Sequence, residues 1–158
     1  MRRHEFALFA DYHQFYLQDE QADGDLSDHW TPGATDRLLA VAPGVVGVGT
    51  ARDTTVPVTV AVLGGPPPGD EDLSGWDQVN ECSLSVPSGR IVVAGCTDYF
   101  PEAARIDVAP GSYRARIYYG GLDTLSEDGL EGSDRYAVAL WLAPEDGPNV
   151  VKPREPSR

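Results

Sequence analysis

Short runs of β-branched and aromatic residues, each cut off by glycine or proline, set the rhythm of this chain. The clearest run is 56–63, where Val56, Val58, Val60 and Val62 alternate with Pro57, Thr59, Ala61 and Leu63. A period of two with β-branched residues on one face is the pattern of a half-buried strand. Tyr136, Val138, Leu140 and Leu142 alternate with Ala137, Ala139 and Trp141 in the same way. Residues 6–17 open on Phe6-Ala7-Leu8-Phe9 and continue through Tyr12, Phe15 and Leu17, so one long first strand with a bulge is expected there. Residues 44–51 read as a further strand. Residues 35–41 fit either a short helix or a strand, and the Leu38-Leu39 pair does not decide between them.

Two hairpins are expected. Cys82, Leu84 and Val86 alternate with Ser83 and Ser85, Pro87-Ser88-Gly89 turns the chain, and 90–96 returns. With a three-residue loop, Val86 would face Val92, Leu84 would face Ala94, and Cys82 would face Cys96. The second hairpin joins 104–108 to 112–119 across Pro110-Gly111, with Tyr113, Ala115, Ile117 and Tyr119 alternating with Arg114, Arg116 and Tyr118. Strands spaced roughly eight to twelve residues apart, with almost no helical period, give an all-β antiparallel sandwich of about eight strands. One domain is expected over 1–143, followed by a flexible proline-rich tail over 144–158. No repeat is visible.

Charge narrows the function. Twenty-five acidic residues against twelve basic ones leave the 158-residue chain at −13. Such a surface repels phosphate backbones and anionic membranes, so no direct nucleic-acid or membrane contact is expected. A basic protein would be attracted, and its encounter accelerated at low salt. No apolar run reaches the eighteen or so residues of a membrane span. Arg2 and Arg3 are followed by Glu5, Asp11 and His13, unlike a signal peptide, so a cytoplasmic location is expected. That location favours reduced, buried thiols at Cys82 and Cys96, although the hairpin register also allows a disulfide.

Catalytic patterns are weak. His13 has Asp11 nearby, but no serine or cysteine stands in an activated setting such as G-x-S-x-G. The 123–134 loop is rich in carboxylates yet lacks EF-hand spacing, so a solvated acidic loop is the simpler reading. Nothing singles out a glycosidase pair, and Gly64-Gly65 and Gly120-Gly121 read as turns. Arg105, Arg114 and Arg116 are expected to pair with acidic neighbours across a sheet. No enzyme activity, cofactor or metal is expected.

Acidic segments at 19–28, 70–81 and 123–134 fall between strands, and Trp30 and Trp76 sit beside the first two. An aromatic anchor framed by carboxylates suits an interface for a basic protein. The candidate partner-binding residues are Asp23, Asp25, Asp28, Trp30, Asp123, Glu127, Asp128 and Glu131. The competing reading places both tryptophans in the core.

Tyr12-His13-Gln14-Phe15 stands ahead of an acidic stretch and Trp30, and Ala42-Pro43-Gly44-Val45-Val46, Arg52-Asp53-Thr54 and Val108-Ala109-Pro110-Gly111-Ser112-Tyr113-Arg114 follow in order. On these landmarks the chain resembles the competence protein J family, small bacterial proteins that inhibit a DNA-entry nuclease. The 64–72 loop, the 76–96 block and the 123–134 loop have no counterpart among these landmarks. The resemblance implies an inhibitor or immunity-like protein whose partner is a nuclease or toxin. Carboxylates from the loops would then fill the partner's cationic cleft. The alternative is a non-catalytic sandwich that binds carbohydrate or a cation through its loops.

Overall fold

The computed structural model describes residues 2–155. In chain order its elements are β1 (Arg2–Phe9), β2 (Gln14–Asp19), α1 (Pro32–Arg37), β3 (Leu39–Ala42), β4 (Val45–Gly49), β5 (Thr55–Val62), β6 (Gln78–Val86), β7 (Arg90–Gly95), β8 (Ala104–Asp107), β9 (Gly111–Gly120), β10 (Arg135–Leu142) and β11 (Asn149–Lys152). Two sheets result, ordered β1-β5-β10-β9-β6-β11 and β3-β4-β2-β7-β8. Neighbouring strands are antiparallel except β5 and β10, which run parallel. The all-β expectation holds, with eleven strands among the described residues rather than about eight.

The inward faces share one apolar core. Phe15, Leu17, Ile91 and Val93 come from the five-stranded sheet, and Val56, Val58, Val60, Leu84, Ile117 and Leu140 from the six-stranded one. The period-two pattern at 56–63 therefore chose its buried face correctly. Along β9, Tyr113, Ala115, Ile117 and Tyr119 point into that core, and Arg114 and Arg116 point outward.

Each expected hairpin is instead a crossing between the sheets. β6 pairs with β9 and β11, whereas β7 pairs with β2 and β8. Pro87-Ser88-Gly89 is the arch between layers, and it brings Ile91 and Val93 inward rather than Val92 and Ala94. Cys82 and Cys96 consequently do not face each other, and both thiols are free. β8 and β9 are likewise in different sheets, and the Tyr113 hydroxyl donates to the Ala109 carbonyl to pin that corner. The long first strand breaks as well. Tyr12 and His13 adopt left-handed φ values of 59° and 60°, and β1 and β2 lie in opposite sheets. A tight turn of Gly, Pro and Ser bends the chain equally well within a sheet or between two, so only partner strands decide.

Residues 35–41 divide between both readings. Thr31 caps α1 by accepting from the Ala34 N–H at 3.1 Å, Pro32 starts the helix, and Leu38 ends it at φ 60° before β3 begins. Part of the proline-rich tail, expected to be loose, forms β11 on the edge beside β6. Residues 156–158 of that tail lie outside the described residues.

One end of the molecule is closed by buried polar groups. The Tyr136 hydroxyl donates to Asp134 Oδ2 at 2.6 Å and accepts from the Ala51 N–H at 2.7 Å. Asp134 also pairs with Arg52. Nearby, Asn80 Nδ2 and Gln78 Nε2 each donate to the Arg37 carbonyl at 2.8 Å, and the Tyr119 hydroxyl donates to the Leu38 carbonyl at 2.6 Å. These bonds fasten the 50–52 turn and the end of α1 to the six-stranded sheet. Replacing Asp134 by Ala leaves a largely buried guanidinium without its carboxylate, and should cost about 3–5 kcal/mol of stability. Chemical denaturation of Asp134→Ala beside the parent checks this, with Glu127→Ala as an exposed control expected to change little.

Candidate interaction surface

The strand directions sort the loops into two ends. Residues 10–13, 50–54, 96–103 and 121–134 gather at the end closed by Asp134, where several contacts join them. Ala10 N–H donates to the Thr54 carbonyl at 2.9 Å, and Thr54 Oγ1 lies 3.5 Å from the Leu130 carbonyl. Cys96 Sγ lies 3.4 Å from the Asp11 carbonyl. Gly95 allows the closest approach: a Cβ there would stand 2.0 Å from the Phe9 carbonyl oxygen. The arches at 87–89 and 108–110 occupy the opposite end.

The sequence-based candidates separate accordingly. Asp123, Glu127, Asp128 and Glu131 are exposed on the loop after β9. Asp23, Asp25 and Asp28 are exposed on the segment after β2, which starts at the opposite end and leads over the outer face of the five-stranded sheet to α1. The two groups do not form one contiguous cluster. Among the described residues, none of these seven carboxylates makes an ion pair. Asp25 accepts from the Ser27 N–H and hydroxyl, and Asp128 from the Leu130 N–H and the Ser126 hydroxyl, which holds both carboxyls below the usual range.

Most arginines answer other acids. Arg114 and Arg116 flank Glu81 at 3.0 and 2.7 Å, Arg116 also reaches Glu71 at 2.7 Å, and Arg105 meets Glu20 at 2.6 Å. Pairing of Arg114 and Arg116 with an acid on the neighbouring strand was legible in the sequence, whereas Arg105 reaches past β7 to Glu20 just after β2. Excess negative charge is thus left on the exposed loops.

Neither tryptophan stands free. Trp30 is half-buried against Leu26, Ala34, Ala40 and Val45, over the bare backbone of Gly47. Trp76 packs 5.3 Å from Tyr118 with the Arg135 guanidinium 4.5 Å above its ring. The strongly exposed aromatics are Tyr12 and Tyr99, at 71% and 68% of their surface, neither of which was a candidate. A run such as Asp98-Tyr99-Phe100-Pro101, aromatic but lacking strand alternation, was the available signal.

The described surface has a larger and a smaller depression near the candidate loops. The larger, about 860 Å³, lies between the end of α1, Trp76 and residues 150–155. Its cations are held by the chain itself: Lys152 donates to the Leu73 and Trp76 carbonyls, and Arg154 to Gln78 and the Asp36 carbonyl. The smaller, about 330 Å³, is walled by Tyr16, Phe100 and Cys96, with Asp23 and Asp98 at its lip. His13 lines neither. Its Nε2 lies 3.9 Å from Asp53 in solvent, and its Nδ1 faces the Thr50 carbonyl at 3.3 Å. Among the described residues, no group of His, Cys, Asp and Glu is arranged to hold a metal ion, and no helix is long and apolar enough to cross a membrane.

The chain is similar in fold to ComJ. The crystal structure of ComJ, inhibitor of the DNA-degrading activity of NucA, from Bacillus subtilis, matches 90% of this chain and 96% of its own with a TM-score of 0.66 at 16% identity. Crocagin biosynthetic gene J matches 91% of this chain and 100% of its own, with a TM-score of 0.60 at 22% identity. No protein-family model and no curated protein matches the sequence. The resemblance read from the N-terminal and 108–114 landmarks therefore holds for ComJ at the level of fold.

The thiols offer a check on this geometry. Burial pushes Cys82 up to about 12, and burial together with the Asp11 charge raises Cys96 above its ordinary value. In the native protein an alkylating reagent at pH 8 should modify Cys96 alone, more slowly than a free cysteine, because less of it is thiolate. Peptide mass mapping reads this directly, with Cys82 reacting only after unfolding.

Proposed function

We propose that this protein is a non-catalytic inhibitor that binds a basic nuclease and keeps DNA from it. The observation that carries this reading is the ComJ-like fold over nine-tenths of the chain, since ComJ inhibits the DNA-degrading activity of NucA. Fold alone does not settle function, and the second match stands in a biosynthetic setting. Charge supplies the independent support. A net −13 with unpaired carboxylates on the exposed loops is what a cationic cleft would attract.

In this mechanism the exposed carboxylates of 23–28 and 123–131 steer the nuclease and compete with phosphate for its cleft. They are solvated in the free protein, so pairing them with a partner forfeits no internal contact beyond the local bonds of Asp23, Asp25 and Asp128. Asp23, Asp25, Asp28, Asp123, Glu127, Asp128 and Glu131 are the residues assigned to this role, with Trp30 fixing the course of the first segment. On this reading the protein works in the same compartment as the nuclease, the cytoplasm of the cell it protects.

Affinity capture from the cells that make the protein tests this. One basic nuclease should be retained at low salt and released towards about 1 M salt, where the screening length falls to roughly 3 Å. Reversing Asp123, Glu127, Asp128 and Glu131 to lysine should weaken retention about tenfold or more. Unchanged retention would remove the electrostatic mechanism, and capture of no nuclease would remove the reading.

A further inference from the structure

The smaller cleft has the chemistry of a receptor for a single basic side chain. Its floor is Ala94 and Gly95 of β7, too small to fill it, and its walls are the rings of Tyr16 and Phe100. Asp23 reaches it from the segment after β2, and Asp98 from the loop after β7. No lysine, arginine or histidine lines it. Asp98 uses one oxygen, Oδ2, to accept from the Gly95 N–H at 2.8 Å, which leaves the other oxygen open to a ligand. Tyr16 is a neutral wall: its hydroxyl donates to Gln14 at 2.7 Å.

Tyr99 lies between the lining residues Asp98 and Phe100. Tyr12 follows Asp11, whose carbonyl meets the Cys96 thiol at 3.4 Å. Next to the cleft the molecule already holds a cation in this way. The Arg105 guanidinium stands 5.2 Å over the Phe100 ring and pairs with Glu20. Aromatic faces flanked by carboxylates suit arginine, whose planar group stacks and takes bidentate hydrogen bonds.

We infer that this cleft, between Asp23 and the 96–100 loop, is where an arginine or lysine of the partner protein docks, with the exposed Tyr99, between the lining residues Asp98 and Phe100, as the neighbouring aromatic anchor. The inference rests on the reading above for the partner's identity, but not for the cleft's chemistry. Charges on the 121–134 loop then guide the approach, and the cleft fixes the register. Exposed aromatics beside a pocket are the expected anchors of such a contact.

Cys96 provides a reporter, because its thiol lines the cleft while Cys82 stays silent. Deca-arginine peptide, with deca-glutamate as control, is added to the full chain while alkylation of Cys96 is timed. Deca-arginine should slow alkylation at least tenfold at saturation, and deca-glutamate should not. A variant carrying Asp23→Asn and Asp98→Asn should lose this protection; the Asp98→Asn side-chain oxygen still accepts from Gly95 N–H, so the loop is kept. Tyr99→Ala should weaken it severalfold, and Glu127→Gln should leave it intact. Unaltered Cys96 reactivity, or protection that survives the double variant, would overturn the inference. The two readings separate cleanly. A nuclease that is captured and inhibited while Cys96 stays reactive removes the cleft and keeps the inhibitor. A cleft that takes the peptide while no nuclease is captured keeps the docking site and removes the inhibitor.

Discussion

Two buried tyrosine hydroxyls hold the architecture at its most exposed point. A two-sheet molecule whose chain repeatedly changes layer has no continuous hydrogen-bonded path across its ends. Backbone groups at each crossing must find partners or lose the water they gave up. Tyr136 meets this need by bonding Asp134 and the Ala51 N–H, and Tyr119 by bonding the Leu38 carbonyl. Their rings stack edge-on 6.1 Å apart, with Phe15 against Tyr136 at 6.0 Å, so the same side chains fill the core between the sheets. The loops at that end are placed by this arrangement, and with them the acidic surface and the rim of the cleft.

Charge is divided along the same boundary. On the outer face of the six-stranded sheet, Glu81 and Glu71 neutralise Arg114 and Arg116, and Arg116 lies 5.7 Å from the Trp141 ring. Over the edge of the other sheet, Glu20 serves Arg90 and Arg105. Whatever they contribute to stability, these pairs remove cations from the field felt outside. The loops keep carboxylates with no internal cation. The proposed inhibitor would use this asymmetry, with cations answered inside the fold and carboxylates left on the loops for a partner.

Strand content was legible in the sequence because a period of two needs only local alternation, and β5, β9 and β10 bury the face that pattern indicated, save Leu142 at the end of β10, which is exposed. Sheet membership was not. Pro87-Ser88-Gly89 and Ala109-Pro110-Gly111 carry hairpin chemistry, yet each arches between layers because β6 finds β9 and β7 finds β2. Pairing over long sequence separations leaves no local mark. The break at Tyr12 and His13 was equally hidden, since left-handed backbone at a non-glycine residue is imposed by its surroundings. Within the candidate surface, exposure of the acidic loops followed from composition. Trp30 and Trp76 were drawn inward because the outer faces of both sheets needed apolar cover. The cleft joins segments some 75 residues apart, about 23 and 98, and only the fold brings them together.

The most direct measurement is a DNA-cleavage assay in which the purified protein is titrated against the nuclease that co-purifies with it. Inhibition that saturates at one protein per nuclease and weakens with salt is the predicted result. Cleavage continuing at its full rate with the protein in large excess would contradict a role as a nuclease inhibitor.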